Sequence, residues 1–155
     1  MKNTVSCPAY LFYEQNEDGT RKNGGICGIN PVYQTKGAAC ADIALPYTQT
    51  IEPGKAYKLD LWIGFEIPKG WKVLMYPRSS LLVKYGLISP VSVIDQDYSG
   101  QHVHWPVFNV TPQPVVIYKG DRIAQVECVP YYDNEDWGHE NKERGLGGFG
   151  STGVK

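Results

Sequence analysis

Apolar and polar residues alternate along most of the middle of this chain, and the alternation has period two. In residues 57–67 (YKLDLWIGFEI), Leu59, Leu61, Ile63 and Phe65 fall on one face, and Val73 and Met75 repeat the pattern in WKVLMY. Period two is the mark of a strand, whose successive side chains point to opposite sides. The same reading predicts strands over residues 87–94, 102–108, 115–118 and 123–129. Pro53-Gly54, Pro68-Lys69-Gly70, Pro112 and Lys119-Gly120 separate these runs. Short strands punctuated this regularly predict an all-β sandwich, jelly roll or barrel. One helical piece is predicted over residues 80–85. Ser79 or Ser80 would cap it, Leu81, Leu82 and Tyr85 would face inward, and Gly86 would take the left-handed C-terminal position.

Two segments lack the pattern. Residues 14–30 are polar and Gly-rich and read as a surface loop. Residues 132–155 begin acidic and polar and end in RGLGGFGSTGVK, which cannot build a core. That end is expected to be mobile, or held by a ligand or a neighbouring chain. The organisation predicted is one β domain over residues 1–143, with 1–33 as an N-terminal extension and loop, followed by a tail over 144–155.

Composition narrows the picture. A chain of 155 residues suits one domain. With 17 Gly and 11 Pro it should have many turns and few long helices. A net charge of −1 argues against a dedicated nucleic-acid-binding domain, although it leaves room for a local Arg/Lys cluster. No run approaches the 18 apolar residues of a membrane helix, and the N-terminus lacks the apolar stretch of a signal peptide. The expectation is a protein inside the cell, in the cytoplasm or the nucleus, without a membrane partner. Cys7, Cys27, Cys40 and Cys128 show no C-x-x-C spacing and are expected to be reduced, small apolar residues. His102, His104 and His139 form no metal-ligand pattern, although His102 and His104 share a strand face; structural or surface roles are expected.

Four segments could carry chemistry. Arg78-Ser79-Ser80 brings a guanidinium and two hydroxyls to a helix start, which suits a phosphate; it also reads as an N-cap beside a surface Arg. Asp95 ends an apolar run and could orient a water. Tyr98, three residues on, offers a flat face to a ring; a plain Asp-rich turn with a packing Tyr fits as well. Gln125 is polar within an apolar run, so it is either a satisfied buried amide or faces a site. Residues 144–153 hold five Gly, which let backbone approach a ligand closely, together with Arg144, Phe149, Ser151 and Thr152.

Taken together, these segments resemble the homotrimeric dUTPase family, whose five motifs appear here in order. Ala39-Cys40-Ala41-Asp42-Ile43 is similar to the first, with Cys40 where Gly is usual. Residues 77–86 (PRSSLLVKYG) resemble the second, with Ser80 where Gly is more usual. Residues 93–100 (VIDQDYSG) resemble the third and 120–125 (GDRIAQ) the fourth. Residues 144–153 (RGLGGFGSTG) resemble the fifth, with Leu146 where a small polar residue is common. The resemblance spans about residues 34–153. It implies a jelly-roll-like β subunit, with three subunits sharing three sites and each tail closing over a neighbour's site.

The implied reaction is water attack on the α-phosphorus of dUTP, giving dUMP and pyrophosphate with Mg²⁺ as cofactor. The ion would be held mainly by the triphosphate and water. The resemblance makes Asp95, Gln125 and Arg144 the catalytic residues. Asp95 would hold the attacking water and the 3′-hydroxyl, and Tyr98 would pack under the deoxyribose. Main chain of the 100–105 hairpin, with Gln101, His102 and Val103, would pair with uracil. Arg78, Ser79, Ser80 and Gln125 would hold the phosphates. Arg144, Ser151 and Thr152 would close on them, with Phe149 stacked over uracil and Gly150 also binding the substrate. Between Gly100 and Asn109 lie eight residues (QHVHWPVF) where seven are typical, and a β-bulge at Pro106 is the expected accommodation. A dCTP deaminase shares the fold but needs a Glu after the third motif, and residues 101–109 contain no carboxylate. The other alternative is a catalytically idle trimer that binds a partner through its N-terminal segment.

Overall fold

The computed structural model describes residues 5–11, 31–134, 136–140 and 143. Among them the strands are β1 (Ala9–Leu11), β2 (Ala41–Ala44), β3 (Gln49–Ile51), β4 (Ala56–Asp60), β5 (Ile63–Phe65) and β6 (Trp71–Pro77). After helix α1 (Ser79–Tyr85) come β7 (Leu87–Ile88), β8 (Ser92–Ile94), a 3₁₀ turn (Gln96–Tyr98), β9 (His104–Asn109), β10 (Val115–Ile117) and β11 (Arg122–Pro130). The largest sheet has the order β2-β11-β6-β8. A three-stranded sheet runs β4-β9-β7, and two pairs, β1-β5 and β10-β3, complete the layers. All the pairings are antiparallel. One core lies between the sheets, built on Ile43, Leu61, Ile63, Met75, Trp105, Ile117 and Ile123, all fully buried.

The all-β class with one short helix is therefore borne out, with several local corrections. The run 57–67 is not one strand. It breaks at Leu61-Trp62 into β4 and β5, and Trp62 takes a left-handed conformation (φ 54°). The alternation was nevertheless right about burial, since Leu59, Leu61, Ile63 and Phe65 all face the core. The run 87–94 likewise breaks at Ser89-Pro90-Val91, sending β7 and β8 to different sheets.

Helix α1 starts one residue earlier than expected, so Ser79 lies inside it. Arg78 holds the N-cap position without a side-chain cap bond, and neither serine caps the helix. Leu81 is buried and Tyr85 packs on the core, but Leu82 is 55% exposed. A single buried position in so short a helix leaves the next residue facing outward. Gly86 does close the helix in the left-handed conformation (φ 66°), and its N–H reaches the Leu82 carbonyl at 2.9 Å.

No bulge forms at Pro106. Strands β4 and β9 pair without interruption from Ala56↔Phe108 to Asp60↔His104, with Lys58 opposite Pro106. The Pro106 carbonyl accepts a short bond from the Ser89 hydroxyl, beyond the last β7 pair, Ile88↔Phe108. Pro lacks an N–H, and here that gap falls where β7 has already ended. The irregularity lies instead on the facing strand. Leu61 N–H donates to the Val103 carbonyl (3.0 Å) and Val103 N–H donates to the Ile63 carbonyl (2.8 Å), with Trp62 looped out between them.

Candidate functional site

The phosphate-binding candidates gather at one end of the large sheet. Strand β11 is central there, and Gln125 pairs with Asp42 on one side and Tyr76 on the other. Gln125 Nε2 donates to the Pro77 carbonyl (3.1 Å), which ties the amide to the residue just before Arg78. Arg78 and Gln125 thus come together at Pro77 and β11, and Ser79 and Ser80 follow directly at the start of α1.

A carboxylate that received no role from the sequence organises this end. Asp42 is only 7% exposed, in a strand whose four residues are all buried. Its Oδ1 lies 3.1 Å from Arg78 Nε and its Oδ2 3.7 Å from Arg122 Nε. Arg78 Nη1 also donates to the Arg122 carbonyl (3.4 Å), and Arg122 donates a short bond to Gln34 Oε1. A buried carboxylate needs paired charge and donors to offset its lost hydration. Two guanidiniums supply the charge and Arg78 Nε a donor to Oδ1, while the buried Oδ2 has no hydrogen-bond partner among the described residues; Arg78 is thereby held in place with donors left over for an anion. The signal in the sequence was a lone carboxylate inside the apolar run Ala41–Leu45.

Asp95 lies at the end of β8, as expected, and heads the 3₁₀ turn that carries Tyr98. An open cavity of about 530 Å³ lies beside it, lined in part by Lys72, Asp97, Tyr131 and Asp133. Tyr98 packs against the core, and its hydroxyl donates to the His102 carbonyl (2.8 Å). The main chain of the expected base-reading segment is already much engaged. Gly100 N–H donates to Phe65 O, Gln101 N–H to Tyr98 O, and Val103 uses both its groups on β5 and Leu61. Val103 is also buried, so it supports the segment from beneath instead of lining a surface. His102 and His104 both reach Asp60 on β4. Burial pushes the His104 imidazole below its usual range, with Asp60 opposing that shift.

The two candidate groups do not meet within one chain. Ile94 pairs with Val73, so Asp95 sits by Lys72 at the start of β6, whereas Arg78 follows the end of that strand. Strand β6 is extended between them, so they stand roughly 20 Å apart. Arg144, Phe149, Gly150, Ser151 and Thr152 lie outside the described residues, as do Cys27 and the 14–30 loop. Cys7, Cys40 and Cys128 are free thiols. Burial, then the neighbouring Cys128, pushes the Cys7 thiol up to about 12, which leaves it inert at neutral pH. Among the described residues no three His, Cys, Asp or Glu converge as metal ligands, and no helix is long and apolar enough to cross a membrane.

Known proteins place this arrangement in a family. A family model described as dUTPase matches residues 28–153. The chain is 40% identical over 132 residues to the deoxyuridine 5′-triphosphate nucleotidohydrolase of Desulfotalea psychrophila, covering 80% of this chain and 87% of that protein. It is also 40% identical to the enzyme of the same description from Desulfitobacterium hafniense strain DCB-2, with the same coverage. Among solved structures, the dUTPase of Streptococcus mutans aligns with a TM-score of 0.66 at 26% identity, covering 80% of this chain and 98% of that one. The dUTPase of phage phi11 of S. aureus, described with a structural Mg(II) ion, aligns at 0.69 and 19% identity, covering 89% and 98%. The fold is accordingly the jelly roll of these structures. With the model matching most of its length and relatives at 40% identity, the chain belongs to the dUTPase family.

Proposed function

We propose that this protein is a dUTP diphosphatase that hydrolyses dUTP to dUMP and pyrophosphate, at sites assembled from more than one copy of the chain. Such an enzyme limits uracil in DNA and supplies dUMP for dTTP synthesis, in the cytoplasm or nucleus. The observation that carries the shared site is the separation of Asp95 from Arg78 along β6. A water attacking the α-phosphorus and the guanidinium holding the phosphates must act within a few ångströms of each other. One copy therefore supplies Asp95 and Tyr98, and another supplies Arg78, Ser79, Ser80 and Gln125. A homotrimer closes such a heterologous arrangement with three equivalent sites.

Asp95 holds and polarises the attacking water, and Tyr98 packs beneath the deoxyribose. The guanidiniums steadied by Asp42 bind and orient the phosphates for in-line attack. Residues 144–153 close over the site, with Arg144, Ser151 and Thr152 at the phosphates, Phe149 on the base and Gly150 beside the substrate. The donors gathered at Arg78 suit an anion, so Mg²⁺ fits as an ion carried in by phosphate oxygens and water. When bound it would supply positive charge to offset that of the phosphates.

The test is pyrophosphate release from each dNTP with Mg²⁺, where dUTP is expected to be strongly preferred. Asp95→Asn should bind dUTP yet lose turnover by about a hundredfold or more, the range for a removed acid–base group. Arg78→Ala should also be inactive. Unfolding and refolding the two variants together should restore activity that neither has alone, with light scattering near three times 17.3 kDa. Mixtures that stay inactive, or an active species of one chain, would refute the shared site.

A further inference from the structure

Asp60, the last residue of β4, grips the two segments that meet at Val103. Its Oδ1 accepts the Trp62 N–H at 2.9 Å. His102 Nδ1 lies 2.9 Å from Oδ2 and 3.1 Å from Oδ1, and His104 Nε2 lies 3.8 Å from Oδ2. Trp62 is the one described non-Gly residue with positive φ, a conformation strained for a bulky side chain, and the Asp60 bond supports it. The looped Trp62 sets the places at which Leu61 and Ile63 bracket Val103. His102 is thus held from two sides, its carbonyl by Tyr98 and its ring by Asp60.

We propose that Asp60 is a positioning residue for pyrimidine recognition, its carboxylate locking residues 100–103 to the Trp62 turn through His102. This rests on the reading of the 100–105 segment as the one that meets the base. Asp60 is remote in sequence from every segment that resembles a family motif, and it touches neither Asp95 nor the phosphate group. Its effect therefore falls on where the base sits and not on the attacking water. The neighbouring charged and titratable groups are Lys58 on β4, His104 on β9 and Tyr47, whose ring packs on Trp62 with centroids 5.1 Å apart. Burial, then the Asp60 charge, pushes the Tyr47 hydroxyl upward against the opposing pull of a bond to the Asp60 main chain, so it stays neutral at pH 7.

The experiment compares wild type, Asp60→Ala and Asp60→Asn by kcat and KM for dUTP, kcat/KM for dCTP and dTTP, and melting temperature. Asp60→Ala should raise KM for dUTP about tenfold or more while kcat stays within about threefold, and should narrow the preference for dUTP. Asp60→Asn should recover most of the loss, because its amide oxygen still accepts the Trp62 N–H and its amide N–H can donate to a neutral His102 Nδ1. His102→Ala, at a partly exposed position, should reproduce the KM rise if Asp60→Ala fails to fold. Unchanged KM and preference in Asp60→Ala or His102→Ala would overturn the proposal, as would an Asn variant no better than Ala. A wild type that releases no pyrophosphate from dUTP would instead overturn the enzymatic reading on which the proposal stands.

Discussion

Asp42 shows how one residue can matter to both stability and chemistry. It is buried and bracketed by Arg78 and Arg122, which are themselves partly exposed. Asp42→Ala leaves two guanidiniums without their counter-charge, but water can still reach both. A destabilisation of about 1–3 kcal/mol is expected, below the cost of stranding a fully buried ion. Activity should fall further than stability explains, because Arg78 loses the partner that fixes its plane. Steady-state kinetics at a temperature well below the melt, beside a melting curve, separate the two effects; kcat/KM within twofold of wild type would remove Asp42 from phosphate positioning. The contrast with Asp95 explains what could be read in advance. Asp95 sits in a dense local motif with Tyr98 and Gly100, so its neighbours in sequence are its neighbours in space. Asp42 finds Arg78 and Arg122, and Asp60 finds His102 and His104, far along the chain, and local spacing does not encode those meetings. Asn109 is similar: fully buried, it donates to Ile51 O and Gln113 O and accepts from Thr111, and one of those contacts is 58 residues away.

At the scale of elements, alternation identified the buried face of 57–67 and of Val73 and Met75, but not the points where the runs break. In the run 57–67 the apolar period continues through the break, whereas in 87–94 burial stops after Leu87 and resumes only at Ile94, with Ile88, Val91 and Val93 exposed. Trp62 interrupts the backbone without interrupting the burial, so there periodicity carries no trace of the change of sheet, while at Pro90 the exposed Val91 keeps the run apolar in sequence though it leaves the core. The end of α1 was legible because it depends on one local requirement, a residue in the left-handed region at Gly86. A Cβ added there would lie 2.2 Å from Thr111 Cγ2. The Thr111 hydroxyl is bound to Asn109 Oδ1 and Gln113 O, so its methyl cannot turn aside without breaking those bonds. Gly86→Ala should cost about 2–4 kcal/mol, combining left-handed strain with overpacking. Adding Thr111→Ser removes the methyl and should return the overpacking part only. Urea melts of the single and double variants check this, and a double variant as stable as wild type would show that backbone strain contributes nothing.

For the molecule as a whole, the proposed function divides labour between a β body and a tail. Removing residues 144–155 should leave the melting temperature within a few degrees and the assembly intact, because no apolar residue of that segment other than Leu146, Phe149 and Val154 could join a core. Turnover of dUTP should nearly vanish, since the phosphates would lose Arg144, Ser151 and Thr152 and remain solvated. Melting and kinetics on one truncated sample decide this; a large drop in melting temperature would make the tail structural. The body carries its own consequence, set by the position of β11 between β2 and β6. Val126 joins Ala41 on one side and Met75 on the other, and Ile117 joins Gln49 across the smaller pair. The central sheet therefore cannot close until strands some eighty residues apart have found each other. Folding rate falls as contacts become less local, because a long loop must be ordered before any pairing rewards it. Refolding from urea should take milliseconds to seconds, as for all-β domains of high contact order. In a cell, the half-made chain would expose β2 and β6 as open edges until β11 arrives, the interval in which it is most exposed to pairing with the wrong partner.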